Sequence, residues 1–166
     1  MPAYAHFLLD KLNWPYTVPT EKPTCAKFAM SMGDGEIPVT VESFGASQVL
    51  LIYLHFALIA DHSKRREAAM LLCRINNEIP MGRWCIDGNT GEIWFRITMH
   101  GGTDDDAHLL DDFVELARKA FADWQKPISV VLTSEILAEN AFTIKLLIDM
   151  EAPEIAAQSL QGKYRP

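Results

Sequence analysis

Cysteine is scarce in this chain: there are 3, Cys25, Cys73 and Cys85. An odd number with no short metal-type spacing excludes a disulfide framework and a zinc ribbon, and leaves reduced packing residues. Long apolar runs are missing too. The longest, Val49 to Ala60, is interrupted by His55 and falls well short of the ~20 residues that span a bilayer. No basic region precedes an apolar one at Met1-Pro2-Ala3-Tyr4-Ala5-His6, so the start does not read as a secretory signal. Positive charge is in deficit, with Lys and Arg at 15 against Asp and Glu at 22, a net charge of −7. That balance makes a nucleic-acid duplex or an anionic membrane an unsuitable partner. There is no internal repeat and no low-complexity segment. These absences together point to the cytoplasm.

What is present is enough for one domain with a real core. Hydrophobic residues make up 49% of the 166 and charged ones 22%, the balance of a globular protein. Ala5, Leu8, Leu9 and Leu12 share one side of a short helix that Trp14-Pro15 terminates, and Pro15, Pro19 and Pro23 interrupt the connection that follows. Ala26, Phe28, Met30 and Met32 then alternate with polar or small residues, and Asp34-Gly35 supplies a tight hairpin. In the returning strand Ile37, Val39 and Val41 face inward, while Pro38 marks an edge or an irregular start. After a turn at Gly45-Ala46-Ser47 comes a strand apolar on both faces, with Leu50, Ile52, Leu54 and Phe56 on one and Val49, Leu51, Tyr53 and Ala57 on the other. Such a strand is central and covered twice.

Asp61 or Ser63 is placed to cap the next helix, whose stripe is Ala68, Leu71, Leu72, Ile75 and Ile79, with Lys64, Arg65, Arg66, Glu67, Arg74 and Glu78 toward solvent. Pro80 ends it, Asn76 and Asn77 can bond to backbone near its end, and Gly82 turns the chain into a hairpin. There Trp84, Ile86, Ile93, Phe95, Ile97 and Met99 face the core, and Cys85, Trp94, Arg96 and Thr98 lie on the reverse. Thr103-x-x-Asp106 opens a long helix in the manner of a capping box. Its predicted stripe is Leu109, Phe113, Leu116, Ala117, Ala120 and Trp124, and Pro127 breaks or kinks it. Leu137, Ala141, Ile144 and Ile148 keep a helical spacing beyond.

The order is α-β-β-β-α-β-β-α plus a C-terminal helical extension. It predicts an α+β domain, a five-stranded antiparallel sheet with helices packed on it, over residues 1–133, with residues 134–166 packed on the same domain.

The helix ending in Asn76-Asn77, the Ile79-Pro80-Met81-Gly82-Arg83-Trp84 junction, the Asp87 to Phe95 hairpin and the helix after it resemble the YbjN family of bacterial sensory transduction regulators. The fold of that family is similar to that of type III secretion chaperones of the Tir-chaperone kind. The resemblance runs from about Ala3 to about Val131 and does not include the extension after Thr133. It implies a small α+β domain that pairs as a dimer and binds other polypeptides or regulates them, without known catalysis, and it transfers no active-site residues. One physical point agrees independently. Val49, Leu51, Tyr53, His55, Cys85 and Trp94 form a second sheet face too apolar to leave in water once the helices have covered the first. That face is the candidate interface, for a second copy of the chain or another polypeptide, unless the extension from Ser134 onward covers it.

The chemical alternative is a metal-dependent enzyme or small-ligand binder using His100, Asp104 and His108, since Asp104 and His108 share a helix face. The simpler account is a carboxylate-rich helix start with exposed histidines, so no metal or cofactor is expected. Cys85 beside Arg83 has a favoured thiolate in principle but no histidine placed as its base. Gly101-Gly102 suits a phosphate cradle, but three aspartates follow where the anion would sit. Lys64-Arg65-Arg66 reads as a solvated face before it reads as an acidic-partner contact. Trp84 is expected in the core and Trp94 at an interface or under the extension.

Overall fold

A computed structural model describes residues 3–33, 35–44, 48–103, 105–141, 143 and 145. The elements are α1 (Tyr4–Lys11), β1 (Cys25–Met32), β2 (Gly35–Phe44), β3 (Val49–His55), α2 (Arg65–Glu78), β4 (Arg83–Ile86), β5 (Ile93–His100) and α3 (Asp106–Thr133). The strands form one sheet in the order β1-β2-β3-β5-β4, with every neighbouring pair antiparallel. This is the expected α+β order. The three helices pack on one face.

α1 is ended by Asn13, not by Trp14-Pro15. Asn13 takes a left-handed φ of 55°. Its N–H donates to the Asp10 carbonyl and the Trp14 N–H to the Leu9 carbonyl, both at 3.1 Å, which closes the helix in a Schellman motif. The first hairpin also differs from expectation. Met32 pairs with Gly35, so Gly35 already opens β2, and the positive φ of 57° belongs to Gly33. Asp34 and the Gly45-Ala46-Ser47 turn lie outside the described residues.

Pro38 sits in a strand with neighbours on both sides rather than at an edge of the sheet. The β2–β3 ladder begins only at Val39, so Gly35 to Pro38 pair with β1 alone. The missing donor therefore stands where β2 has a single neighbour.

β3 is the middle strand, and its alternation sets the core. Leu50, Ile52 and Leu54 are fully buried with Val39, Val41, Phe95, Ile97 and Met99 beneath Leu8, Leu71, Ile75 and Leu110. Each such side chain contributes roughly 1.5–3 kcal/mol by leaving water. Trp84 anchors the far end, 5.6 Å from the Phe95 ring and 5.0 Å from the Phe121 ring.

Neither Asp61 nor Ser63 caps α2, whose N-cap position is held by Lys64 with no side-chain cap bond. The Asp61 carbonyl instead accepts from the Lys64 and Arg65 N–H groups. Three side chains expected in solvent are occupied. Arg65 donates to the Ala60 and Gly88 carbonyls, Lys64 to the Ser134 carbonyl, and Glu67 accepts from the Ala138 N–H at 3.0 Å.

At the other end of α2, Asn76 lies beside β4 like a short strand. Its side-chain amide donates to the Trp84 carbonyl at 2.9 Å and its oxygen accepts from the Trp84 N–H at 2.7 Å. This satisfies backbone groups that an edge strand leaves open. Gly82, at φ 80°, passes so close to the Phe95 ring that a Cβ there would lie 2.3 Å from it.

The carboxylate of Asp106 reaches back to the N–H groups of Gly102 (2.7 Å) and Thr103 (3.0 Å) and accepts from the Tyr4 hydroxyl. This is half of the expected capping box: the Thr103 hydroxyl donates to Asp106 instead of accepting from the helix. Burial of Asp106 also sets the rotation of α3. The buried stripe is Leu110, Val114, Ala117, Phe121, Trp124, Ile128 and Val131, one step round from the predicted one, and Leu116 is exposed. α3 continues through Pro127, and Asp123, whose carbonyl loses its helical donor there, is exposed. Beyond it Ala138 and Ala141 are buried against α2 and α3 and the Lys145 ammonium stands over the Trp124 ring. Leu137 is exposed, while Ile144 and Ile148 fall outside the described residues.

Candidate protein-binding surface

The reverse face of the sheet follows from the same alternation. On it Lys27 (β1), Thr40 (β2), Tyr53 (β3), Arg96 (β5) and Arg83 (β4) stand in one row. His55, Trp94 and Cys85 form the next row, and Glu42, Leu51 and Thr98 the row on the other side. The six candidate residues share this face, spread from Val49 at one end of β3 to His55, Trp94 and Cys85 at the other. Val49, Leu51, Tyr53, Cys85 and Trp94 are half-buried and His55 is exposed. No helix among the described residues lies on this face: the start of the extension packs on α2 and α3, on the opposite side. β3 is central as expected, but among the described residues it is covered once.

A cavity of about 400 Å³ opens on this face, lined by Lys27, Glu42, Tyr53, His55, Glu92 and Trp94 together with the connection at Pro19 to Lys22. That connection buries Cys25 and is tied down by a bridge between Thr17 and Lys27. Burial, with the Glu42 carboxylate next, pushes the Tyr53 hydroxyl pKa up. Although His55 is exposed overall, partial desolvation of its ring against the cavity wall, with the Lys27 ammonium next, pushes it down against the pull of Glu92, and its Nε2 lies 3.0 Å from the Thr40 hydroxyl. Burial also pushes the Cys85 thiol up, against Arg96 and Arg83. The expectation of a favoured Cys85 thiolate is therefore reversed. The buried indole N–H of Trp94 interacts with the Cys85 sulfur, which works against that rise.

The alternative site does not assemble in what is described. Asp104 lies outside the described residues. His108 is exposed with Asp105 as its neighbour at 3.9 Å, and His100 ends β5 on the open face. Among the described residues no three His, Cys, Asp or Glu side chains are grouped to hold a metal ion. Two features were not read from the sequence. Phe44, 62% exposed, extends the apolar face next to Val49, and the alternation of Glu36, Thr40 and Glu42 pointed to it. Arg83 and Arg96 come to directly opposite positions, which depends on the hairpin register.

The fold and this face define an α+β layer, one side of its antiparallel sheet packed by helices and the other, of mixed apolar and charged residues, bare of helices among the described residues. The chain belongs to the YbjN family, described as "Putative bacterial sensory transduction regulator", whose profile matches residues 8–129. Among solved structures it is similar to a chain in "Crystal Structure of the ExsC-ExsE Complex", with 11% identity and a TM-score of 0.47, covering 81% of this chain and 100% of that one. No curated protein matches. No helix among the described residues is long and apolar enough to cross a membrane.

Proposed function

We propose that the protein is a non-enzymatic protein-binding module of regulatory or chaperone-like role, and that it pairs with a second copy of itself through the open sheet face. The observation that carries this reading is Leu51, Tyr53 and Trp94, half-buried in three successive rows of β3 and β5, on a face that no described helix covers. Water against the apolar surface of these three side chains is unfavourable by roughly 25 cal/mol per Å², so a partner surface gains by replacing it. A second copy fits because the cavity rim carries both signs, Lys22 and Lys27 with Glu42 and Glu92. A two-fold mate presents the same set in reverse. Residues 134–166 belong to the same domain in this reading, as a helical extension on α2 and α3. Three free thiols fit a reducing compartment such as the cytoplasm.

Tyr53→Glu tests the reading, since it places a charge at the middle of the face without touching the core. The variant sediments as a monomer and keeps the circular dichroism of the parent, whereas the parent sediments as a dimer. A variant that stays dimeric would place the contact elsewhere.

A further inference from the structure

The sheet has a gap on its β5 side. β4 pairs with Ile93 to Arg96 only, and among the described residues nothing continues the ladder alongside Ile97 to His100. Gly82 and Pro80 cause this: the backbone turns at Gly82 and returns to α2 just before Arg83.

Which backbone groups the gap exposes follows from the pairing. Trp84 turns both its N–H and its carbonyl away from β5, to Asn76. Its neighbours Arg83 and Cys85 therefore face β5, opposite Arg96 and Trp94. Thr98, two residues on from Arg96, turns its N–H and carbonyl the same way. The other edge agrees, because Ile93 accepts from the Phe56 N–H at 2.9 Å and Gly101 donates to the Gln48 carbonyl at 2.7 Å, so these alternate residues face β3. Among the described residues Thr98 has no partner across the gap.

The mouth of the gap is positive. Arg83 and Arg96 are both exposed and directly opposite, and neither has a carboxylate at ion-pairing distance among the described residues. Like charges so placed repel. Beside them lies a cavity of about 280 Å³ walled by Ile79, Pro80, Met81 and Thr98. A donor and an acceptor in strand geometry, two guanidinium forks and an apolar wall describe one kind of ligand.

We propose that this gap takes an extended acidic segment of a partner polypeptide. Its backbone pairs with Thr98, a carboxylate sits between Arg83 and Arg96, and an apolar side chain rests on Ile79 and Met81. This rests on the reading of the protein as a binding module and names the chemistry of what it binds. A nucleic-acid strand offers the charge but not the alternating backbone donor and acceptor that Thr98 matches.

The test uses the full chain and a short labelled peptide alternating glutamate with valine. Controls are the lysine counterpart, the glutamate peptide N-methylated at alternate amides, and single-stranded oligothymidylate. The glutamate peptide binds, weakens as salt rises, and slows hydrogen exchange at the Thr98 amide at least tenfold. Arg96→Glu weakens it at least tenfold and Arg96→Gln by less, and both variants keep the fold because Arg96 is exposed. The lysine and N-methylated peptides do not bind. Absence of glutamate-peptide binding, binding with Thr98 unprotected, equal binding to Arg96→Glu, or displacement by oligothymidylate would each overturn the proposal. Solution mass separates it from the pairing reading. A dimer that ignores the peptide rejects the gap alone, and a monomer that binds it rejects the pairing alone.

Discussion

The two faces of the sheet come from the same five strands and the same alternation, yet they end in different environments. On the helix face Leu50, Ile52 and Leu54 are each 0% exposed. One residue along, Leu51 and Tyr53 remain half-buried although strands flank them on both sides. Neighbours within a sheet hide the flanks of a side chain, and only a second layer hides its tip. The helix face therefore carries the stability of the fold, and the open face carries what remains available for association.

Substitutions on the two faces should part accordingly. Phe95→Ala removes a ring packed on Trp84 and is expected to cost about 3–5 kcal/mol, read from urea unfolding. An effect below about 1 kcal/mol would mean that the helix face is not the core. Asn76→Ala strips both partners from the Trp84 backbone and costs about 1–3 kcal/mol, with faster amide exchange at Trp84 as its signature. Gly82→Ala, which drives a methyl group into Phe95 at positive φ, costs a similar ~1–3 kcal/mol in thermal or urea unfolding. Leu51→Ala on the open face changes monomer stability by less than about 1 kcal/mol yet weakens pairing, so unfolding and sedimentation should disagree about its severity.

The smallest effect is on pH. His55 titrates below its ordinary value when folded, because partial desolvation of its ring and Lys27 disfavour its charged form. The unfolded chain then binds more protons between the lowered value and about 6.5, so stability is full above that window and falls as the pH drops through it. His55→Gln should flatten the decline. A decline unchanged in the variant would assign it to another group.

Much of this division was legible in the sequence. The two-sided apolar strand, the Trp84 and Trp94 alternation and the order of elements follow from period-two patterning, which fixes a residue's face without knowledge of its neighbours. Contacts between elements were not. The stripes from Leu109 and from Leu110 on α3 both repeat helically, and only the bonds of Asp106 to Gly102, Thr103 and Tyr4 choose between them. The sequence places Gly35 in the hairpin turn, and only its pairing with Met32 shows that it already belongs to β2. The strand-like role of Asn76 and the opposed Arg83 and Arg96 likewise need tertiary register. For the site, the face on which each strand residue stands was readable, Arg96 and Thr98 included, and which residues meet across strands was not.

Sedimentation equilibrium of the unaltered chain over a dilution series tests the account most directly. A particle of twice 18.7 kDa that dissociates on dilution, and that Tyr53→Glu abolishes, is the predicted result. A folded 18.7 kDa monomer at every concentration would contradict it.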